Sequence, residues 1–214
     1  MIPARPTRLG RLFWTRFSRW SIRQSFTACD WVTPHPIDPS KSLLFLGNHI
    51  SWWDGFWPIY LNEQHFHKEF YVMMLEEELK KRPFMAQGGA FSIQPSSRTS
   101  LGSLNYAAGL LAHPQNLVVM YPQGAIQSVY DVNWQFAPGV SRVIAPVQDQ
   151  CQVMVSAVFS DYLNRPKPFL RFYTRLWDAE LLLEKGRMNT EYAAFFESSR
   201  QHHLAWSRDQ VRQR

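Results

Sequence analysis

Cysteine is nearly missing from this chain, with two thiols, Cys29 and Cys151, in 214 residues. That is too few for a disulfide framework, and the two show no ligand spacing, so a disulfide-stapled secreted scaffold and a cysteine-bound metal are both excluded. A reducing compartment fits. Long apolar runs are missing as well: none reaches the roughly 18 residues that a membrane span needs. Arg5, Arg8, Arg11, Arg16, Arg19 and Arg23 interrupt any apolar core of a secretory leader, so the folded domain is expected to stay in the cytoplasm. Internal repeats, low-complexity tracts and a glycine-rich nucleotide fingerprint are absent from the sequence. Acidic residues are outnumbered, 17 against 23 Lys and Arg, for a net charge of +6. That balance favours an anionic partner, whether phospholipid surface, phosphorylated cofactor or nucleic acid. No recognition motif accompanies the charge, so nucleic acid is set aside. His65 and His67 have the look of a metal pair, but no third ligand stands near them in sequence, and solvated loop histidines are expected instead.

Aromatic residues are abundant, at 15% with nine tryptophans. Rings of this amphipathic kind favour membrane interfaces. Residues 5 to 28 read as one basic amphipathic helix, with Leu9, Leu12, Phe13, Phe17 and Trp20 at helical spacing among arginines. Such a helix suits the headgroup plane of an anionic bilayer; the plainer alternative is a helix docked on the core. The division is therefore 1–30 for a membrane-surface helix and 31–214 for a single larger domain, about the size one core supports. Pro34, Pro36 and Pro39 make a stiff connector between them.

Within the larger part, apolar runs alternate with helical patterns. Strands are expected at Leu43–Gly47, Phe70–Leu75, Phe91–Ile93, Leu117–Tyr121, Val153–Phe159 and Leu170–Tyr173. Helices are expected at 53–62, Glu76–Arg82, Ser100–Ala112, Gly139–Val147 and, as a polar terminal helix, Thr190–Arg214. That alternation implies a single layered α/β domain whose central sheet, mostly parallel or mixed, is flanked by helices, after an N-terminal amphipathic helix.

The chain is organised around Leu43 to Trp57, LLFLGNHISWWDGFW. A buried strand ends at Asn48-His49, and Ser51 is placed to cap the next helix, bringing Asp54 into its first turn. A carboxylate there can hold one ring nitrogen of His49 and leave the other to take a proton from a hydroxyl. A capping aspartate beside an ordinary histidine is the bland alternative for HxxxxD alone.

NHISWWD resembles the NHxSxxD signature of the glycerolipid and lysophospholipid acyltransferase superfamily, and later stretches fall in that family's order. Gly89-Ala90-Phe91-Ser92-Ile93 looks like its second block, though Gln94 and Pro95 stand at the end, where the family has a basic residue; the nearest cation is Arg98. Tyr121-Pro122-Gln123-Gly124-Ala125-Ile126-Gln127-Ser128 resembles its third block, with Gln123 for glutamate and Ala125 and Ile126 for threonine and arginine. Phe136-Ala137-Pro138-Gly139 resembles the element after it, without the lysine. Ser156 or Ala157 stands where a fourth block has proline. The resemblance covers roughly residues 42 to 160.

It implies an O-acyltransferase working at the cytoplasmic face of a membrane, with His49 and Asp54 catalytic. Asn48, Ser51, Phe91, Arg98, Tyr121, Pro122, Gln123 and Gly124 would lie on the substrate side, and the backbone around Gly124 would steady the oxyanion. No bound cofactor or metal is expected; acyl-CoA or acyl carrier protein brings the acyl group, and a lipid hydroxyl accepts it. Pro95, Ile126 and Ala137 replace three family cations, so the acceptor is expected either to be a non-phosphate glycolipid or glycosylated pigment, or to rely on Arg98 and Arg142. The rival reading is an inactive peripheral membrane-binding protein.

Overall fold

The computed structural model describes residues 1–95, 99–184 and 186–212. In chain order its main elements are α1 (Arg8–Ser25), β1 (Ala28–Trp31), β2 (Ser42–Gly47), α2 (Trp57–Leu61), β3 (Glu69–Leu75), α3 (Glu76–Lys81), β4 (Ala90–Ile93) and α4 (Ser100–Leu111). They continue with β5 (Asn116–Met120), α5 (Gly139–Ile144), β6 (Cys151–Asp161), β7 (Phe169–Trp177), α6 (Ala179–Leu183) and α7 (Arg187–Arg212). The seven strands form one sheet in the order β1-β7-β6-β2-β5-β3-β4. Every pairing is parallel except that of β6 with β7, so β1 and β7 run against the other strands. The expected mixed α/β layering is what forms.

At the middle of the sheet, every residue of β2 and β5 is buried. Parallel strands covered by helices on both faces need such unbroken apolar runs. Leu44, Leu46, Val118 and Met120 face α4, α5 and α7, whereas Leu43, Phe45, Leu117 and Val119 face α1 and α2. At the end of the sheet away from the site, the buried Lys68 ammonium donates to the carbonyls of Lys41 and Pro114, both at 2.8 Å, joining the entries to β2 and β5.

Several boundaries differ from the sequence reading. The expected helix 53–62 is a 3-10 turn (Trp52–Gly55), then α2, then a π turn (Asn62–Phe66). β1 lies where a helix tail was expected; the division at residue 30 falls inside this strand, which pairs with β7. α7 starts earlier than expected and is not a polar appendage: Met188, Tyr192, Phe195, Phe196 and His203 are buried along one face. α6 was not anticipated.

In α1, Thr7 caps the first turn by accepting the Gly10 amide at 2.9 Å. Its buried residues are Gly10, Ser18, Ser21 and Ile22. A Cβ on Gly10 would lie 2.4 Å from the Gln87 carbonyl oxygen, so helix and the 83–88 turn touch backbone to backbone. Leu9, Leu12, Phe13 and Trp20 are left exposed on the other face. Ion pairs of Arg11 with Glu69 and Arg19 with Glu63 hold the helix down. Ahead of it, Ile2 pairs with Ser92 and covers the edge of β4.

Candidate active site

β2 and β5 are parallel neighbours, so the loops after Gly47 and Met120 leave the sheet side by side. Open parallel sheets bind ligands in the crevice outside such carboxyl ends. His49 follows β2 by two residues. Its Nδ1 lies 2.5 Å from Asp54 Oδ2, and the same oxygen accepts the amides of Ile50 at 2.7 Å and Ser51 at 3.0 Å. Ser51 Oγ accepts the Trp53 amide at 3.0 Å, so Ser51 and Asp54 cap the 3-10 turn reciprocally. One local motif thereby makes a helix start and aims a carboxylate at an imidazole.

The Asp54 side chain is 1% exposed while that of His49 is 27% exposed. Burial pushes the Asp54 carboxyl above its ordinary value, against the lowering effect of the hydrogen bonds from His49, Ser51 and Ile50. Its Oδ1 is buried without a partner among the described residues. A carboxylate accepting at Nδ1 selects the tautomer with Nε2 unprotonated, and His49 lines a cavity where that nitrogen can meet a hydroxyl.

Tyr121 and Gln123 hold the histidine rather than stand on the substrate side alone. The Tyr121 ring stacks on His49 at 4.9 Å between centroids, and its hydroxyl donates to the Asp54 carbonyl at 2.5 Å. A Cβ on Gly47 would meet this ring at 2.8 Å, which explains the glycine at the end of β2. Gln123 Oε1 accepts the His49 amide at 2.5 Å, and its Nε2 donates to Gln127 Oε1 at 2.6 Å. The Gln127 amide then donates to the His49 carbonyl at 2.8 Å. Both backbone groups of His49 are thus fixed by the loop after β5. Gln127 lies in the stretch that resembles the third block, but its role was not legible there, since nothing local marks a residue whose part is an amide contact across two loops.

The expected substrate-side residues divide. Tyr121, Pro122 and Gly124 line the cavity. Asn48, Ser51, Phe91 and Gln123, expected there, do not line it, which corrects the sequence reading. Asn48 is 1% exposed, and its side-chain amide exchanges hydrogen bonds with the backbone of Val158 at 2.9 and 3.2 Å, tying β2 to β6. Phe91 is fully buried against Tyr106 in the core. Ser51 is committed to the cap, and Arg98 lies outside the described residues. The Gly124 amide is also committed, donating to the Tyr121 carbonyl at 3.1 Å with Gly124 at φ +73°, a left-handed conformation that favours glycine. The next two residues, Ala125 and Ile126, line the cavity with backbone amides that have no partner among the described residues.

The cavity has a volume of about 1200 Å³. Beyond Met120 it runs past the end of β3 to α1 on one side and α5 on the other. Pro95, Ile126 and Ala137, the three positions noted for lacking a cation, are all in its wall, as are Arg142 and Glu78. Burial pushes the Cys29 thiol up to about 12, aided by Asp30, and the Cys151 thiol up to about 11, so neither is a nucleophile at neutral pH. Cys151 starts β6, at the opposite end of the sheet from His49. His65 packs on Trp31, and among the described residues no group of three His, Cys, Asp or Glu is placed to hold a metal.

The family model described as Acyltransferase matches residues 30–158, more than half of the chain. The crystal structure of the 1-acyl-sn-glycerophosphate (LPA) acyltransferase PlsC from Thermotoga maritima is similar in fold, with a TM-score of 0.59 at 12% identity, covering 91% of this chain and 79% of that one. No curated protein matches the sequence.

Proposed function

This chain belongs to the acyltransferase family, and from that premise we propose that it moves a fatty acyl group from an acyl thioester to a lipid hydroxyl, with His49 as general base and Asp54 as its orienting carboxylate. The carrying observation is the 2.5 Å contact between His49 Nδ1 and Asp54 Oδ2 at the wall of an apolar cavity. Nε2 takes the acceptor's hydroxyl proton as its oxygen attacks the thioester carbonyl. The tetrahedral intermediate then expels the thiolate, which takes the proton back from the imidazolium. The thioester is already activated, so no covalent enzyme intermediate is needed. In the backbone around Gly124, the amides of Ala125 and Ile126, which have no partner among the described residues, are the oxyanion donors, since that of Gly124 itself is committed.

The donor is acyl-CoA or acyl carrier protein, which share the pantetheine thioester. The acceptor is a lysophospholipid or glycerolipid-type hydroxyl, and the apolar wall at Pro95, Ile126 and Ala137 favours a neutral glycolipid headgroup over a phosphate. The exposed apolar face of α1, with Arg8, Arg16 and Arg23 making no ion pair among the described residues, suits a peripheral position on anionic lipid. No helix among the described residues is long and apolar enough to cross a membrane. Purified protein given palmitoyl-CoA with either lysophosphatidate or a monoacyl glycolipid on anionic vesicles tests the reading by mass spectrometry. Acylated lipid is expected, in larger yield from the glycolipid. Vesicle binding without thioester consumption rejects the enzyme reading, and a strong preference for lysophosphatidate rejects the neutral headgroup.

A further inference from the structure

The cavity beside His49 is larger than one chain needs. Its volume, about 1200 Å³, exceeds the roughly 300–1,000 Å³ of an ordinary small-molecule site. Its shape follows from the register of β3. Up to Val72, level with Val119, this strand pairs with β5, and from Val72 to Leu75 it pairs with β4; β5 ends one residue on at Met120, so Met74 and Leu75 outrun it. The cavity therefore passes around a strand tip and lies on both faces of the sheet.

Neighbouring side chains of a strand point to opposite faces. Met73 packs with the cluster under α4 and α5, whereas Met74 packs with the cluster beneath α3 and the 83–88 turn, and both line the cavity. By the faces these side chains point to, the tip of β3 divides the cavity wall into an α1-side lobe and an α5-side lobe, and His49, Tyr121 and Pro122 also line the cavity. Their walls differ. On the α1 side stand Trp14, Phe56, Phe70 and Met74, with one charged group, Glu78, half-buried and bonded to Lys81 and Arg82. On the α5 side Met73, Leu104 and Val140 are joined by Ser141 and Arg142.

We infer that the lobes hold two separate hydrocarbon chains at once, the donor's acyl chain on the α1 side and the acceptor's own apolar part on the α5 side. This rests on the acyl-transfer reading. Beyond its thioester carbonyl an acyl chain has no polar atom, which matches the lobe of aromatic and methionine side chains. An acceptor carries a headgroup beside its apolar part, which matches the lobe with a hydroxyl and a guanidinium. The acceptor is accordingly an amphiphile with a long apolar portion, not a small water-soluble alcohol.

Adjacent methionines allow each lobe to be filled separately. In turnover with acyl-CoA of graded length, Met74→Trp is expected to lose at least about tenfold in kcat/KM for the longest chains and to leave the acceptor KM unchanged. Met73→Trp is expected to raise the acceptor KM and leave the chain-length profile alone. Both variants acting on the same substrate, or the reverse assignment, overturns the inference. Binding of cis-parinaric acid, a fluorescent fatty acid, needs no turnover: about two sites are expected in the wild type and one in each variant. One site in the wild type, or two in both variants, also overturns it. Two sites with no acyl transfer to any acceptor reject the acyl-transfer reading alone. Should the tryptophan variants lose the wild-type circular dichroism, Met74→Phe and Met73→Phe give the same comparison with smaller shifts.

Discussion

Two histidine–aspartate pairs stand among the described residues, and they are built inside out relative to one another. In the first, Asp54 is 1% exposed and His49 27% exposed; in the second, Asp161 is 35% exposed and His203 5% exposed. The second pair, His203 Nε2 to Asp161 Oδ2 at 2.9 Å, has the imidazole sealed between Phe159 and Trp206, with Nδ1 facing the Tyr173 hydroxyl at 3.5 Å. No ring nitrogen is left for a substrate there, and the ring is a packing element that fastens α7 to β6. A base must be reachable, and the group that orients it is best kept from water. The contact between imidazole and carboxylate is shared by both pairs; which partner is buried separates chemistry from architecture.

The widest separation between the pairs is expected on replacing the imidazoles. His49→Ala should lower turnover by about two to four orders of magnitude, as loss of a general base does, with a melting curve close to that of the wild type. His203→Ala should leave turnover nearly unchanged and cost about 1–3 kcal/mol of stability through lost packing. Denaturant titration beside an acyl-transfer assay measures both. Equal activity losses from the two variants would erase the distinction.

Asp54→Asn comes next, with an expected loss of about two to three orders of magnitude, because an amide can hold the wrong imidazole tautomer. Its effect on stability should be nil or favourable. A carboxyl pushed upward by burial holds its proton more tightly folded than unfolded. Its contribution to stability is therefore present below the unfolded value and lost as pH rises toward the folded one, so at neutral pH the buried charge opposes folding. A flatter pH-stability profile in the variant checks this.

The third expected effect lies in the clamp around His49. Gln123→Leu removes the acceptor of the His49 amide and should reduce turnover by roughly tenfold, as a lost hydrogen bond of about 1–1.5 kcal/mol would. Gln123→Glu keeps that acceptor, and Gln127 can turn its amide to donate, so activity should remain within about threefold. Steady-state kinetics of the two variants decide whether position 123 serves by shape or by charge.

The first pair was legible in the sequence and the second was not, for a physical reason. His49 and Asp54 are joined by a helix cap, which is a local device with a local spacing. His203 and Asp161 meet because α7 packs across β6, and no short window holds that information. The same contrast runs through the fold. β2 and β5 were readable because buried parallel strands are unbroken apolar runs; β1, four residues of mixed polarity at a sheet edge, carries no such mark. The aromatic face of α1 was recognised, yet the residues that dock it, Gly10, Ser18 and Ser21, were invisible to a search for apolar periodicity. Close backbone contact uses small residues, and these resemble solvent-facing ones in sequence. Asn48 was placed on the substrate side by its position in the family-like signature, although its amide completes the sheet between β2 and β6.

Asp161→Asn is expected to have the smallest effect and tests the comparison from its weak side. The residue is a third exposed, so water screens its attraction to His203, and an asparagine oxygen still accepts from the ring. Pairs of this exposure are worth about 0–1 kcal/mol. A stability change within about 0.5 kcal/mol and unaltered turnover are expected by denaturant titration and acyl-transfer assay. If Asp161→Asn instead lowered turnover as Asp54→Asn does, exposure of the carboxylate would be no guide to its role, and the second pair would have to communicate with the cavity through β6 and its contact with Asn48.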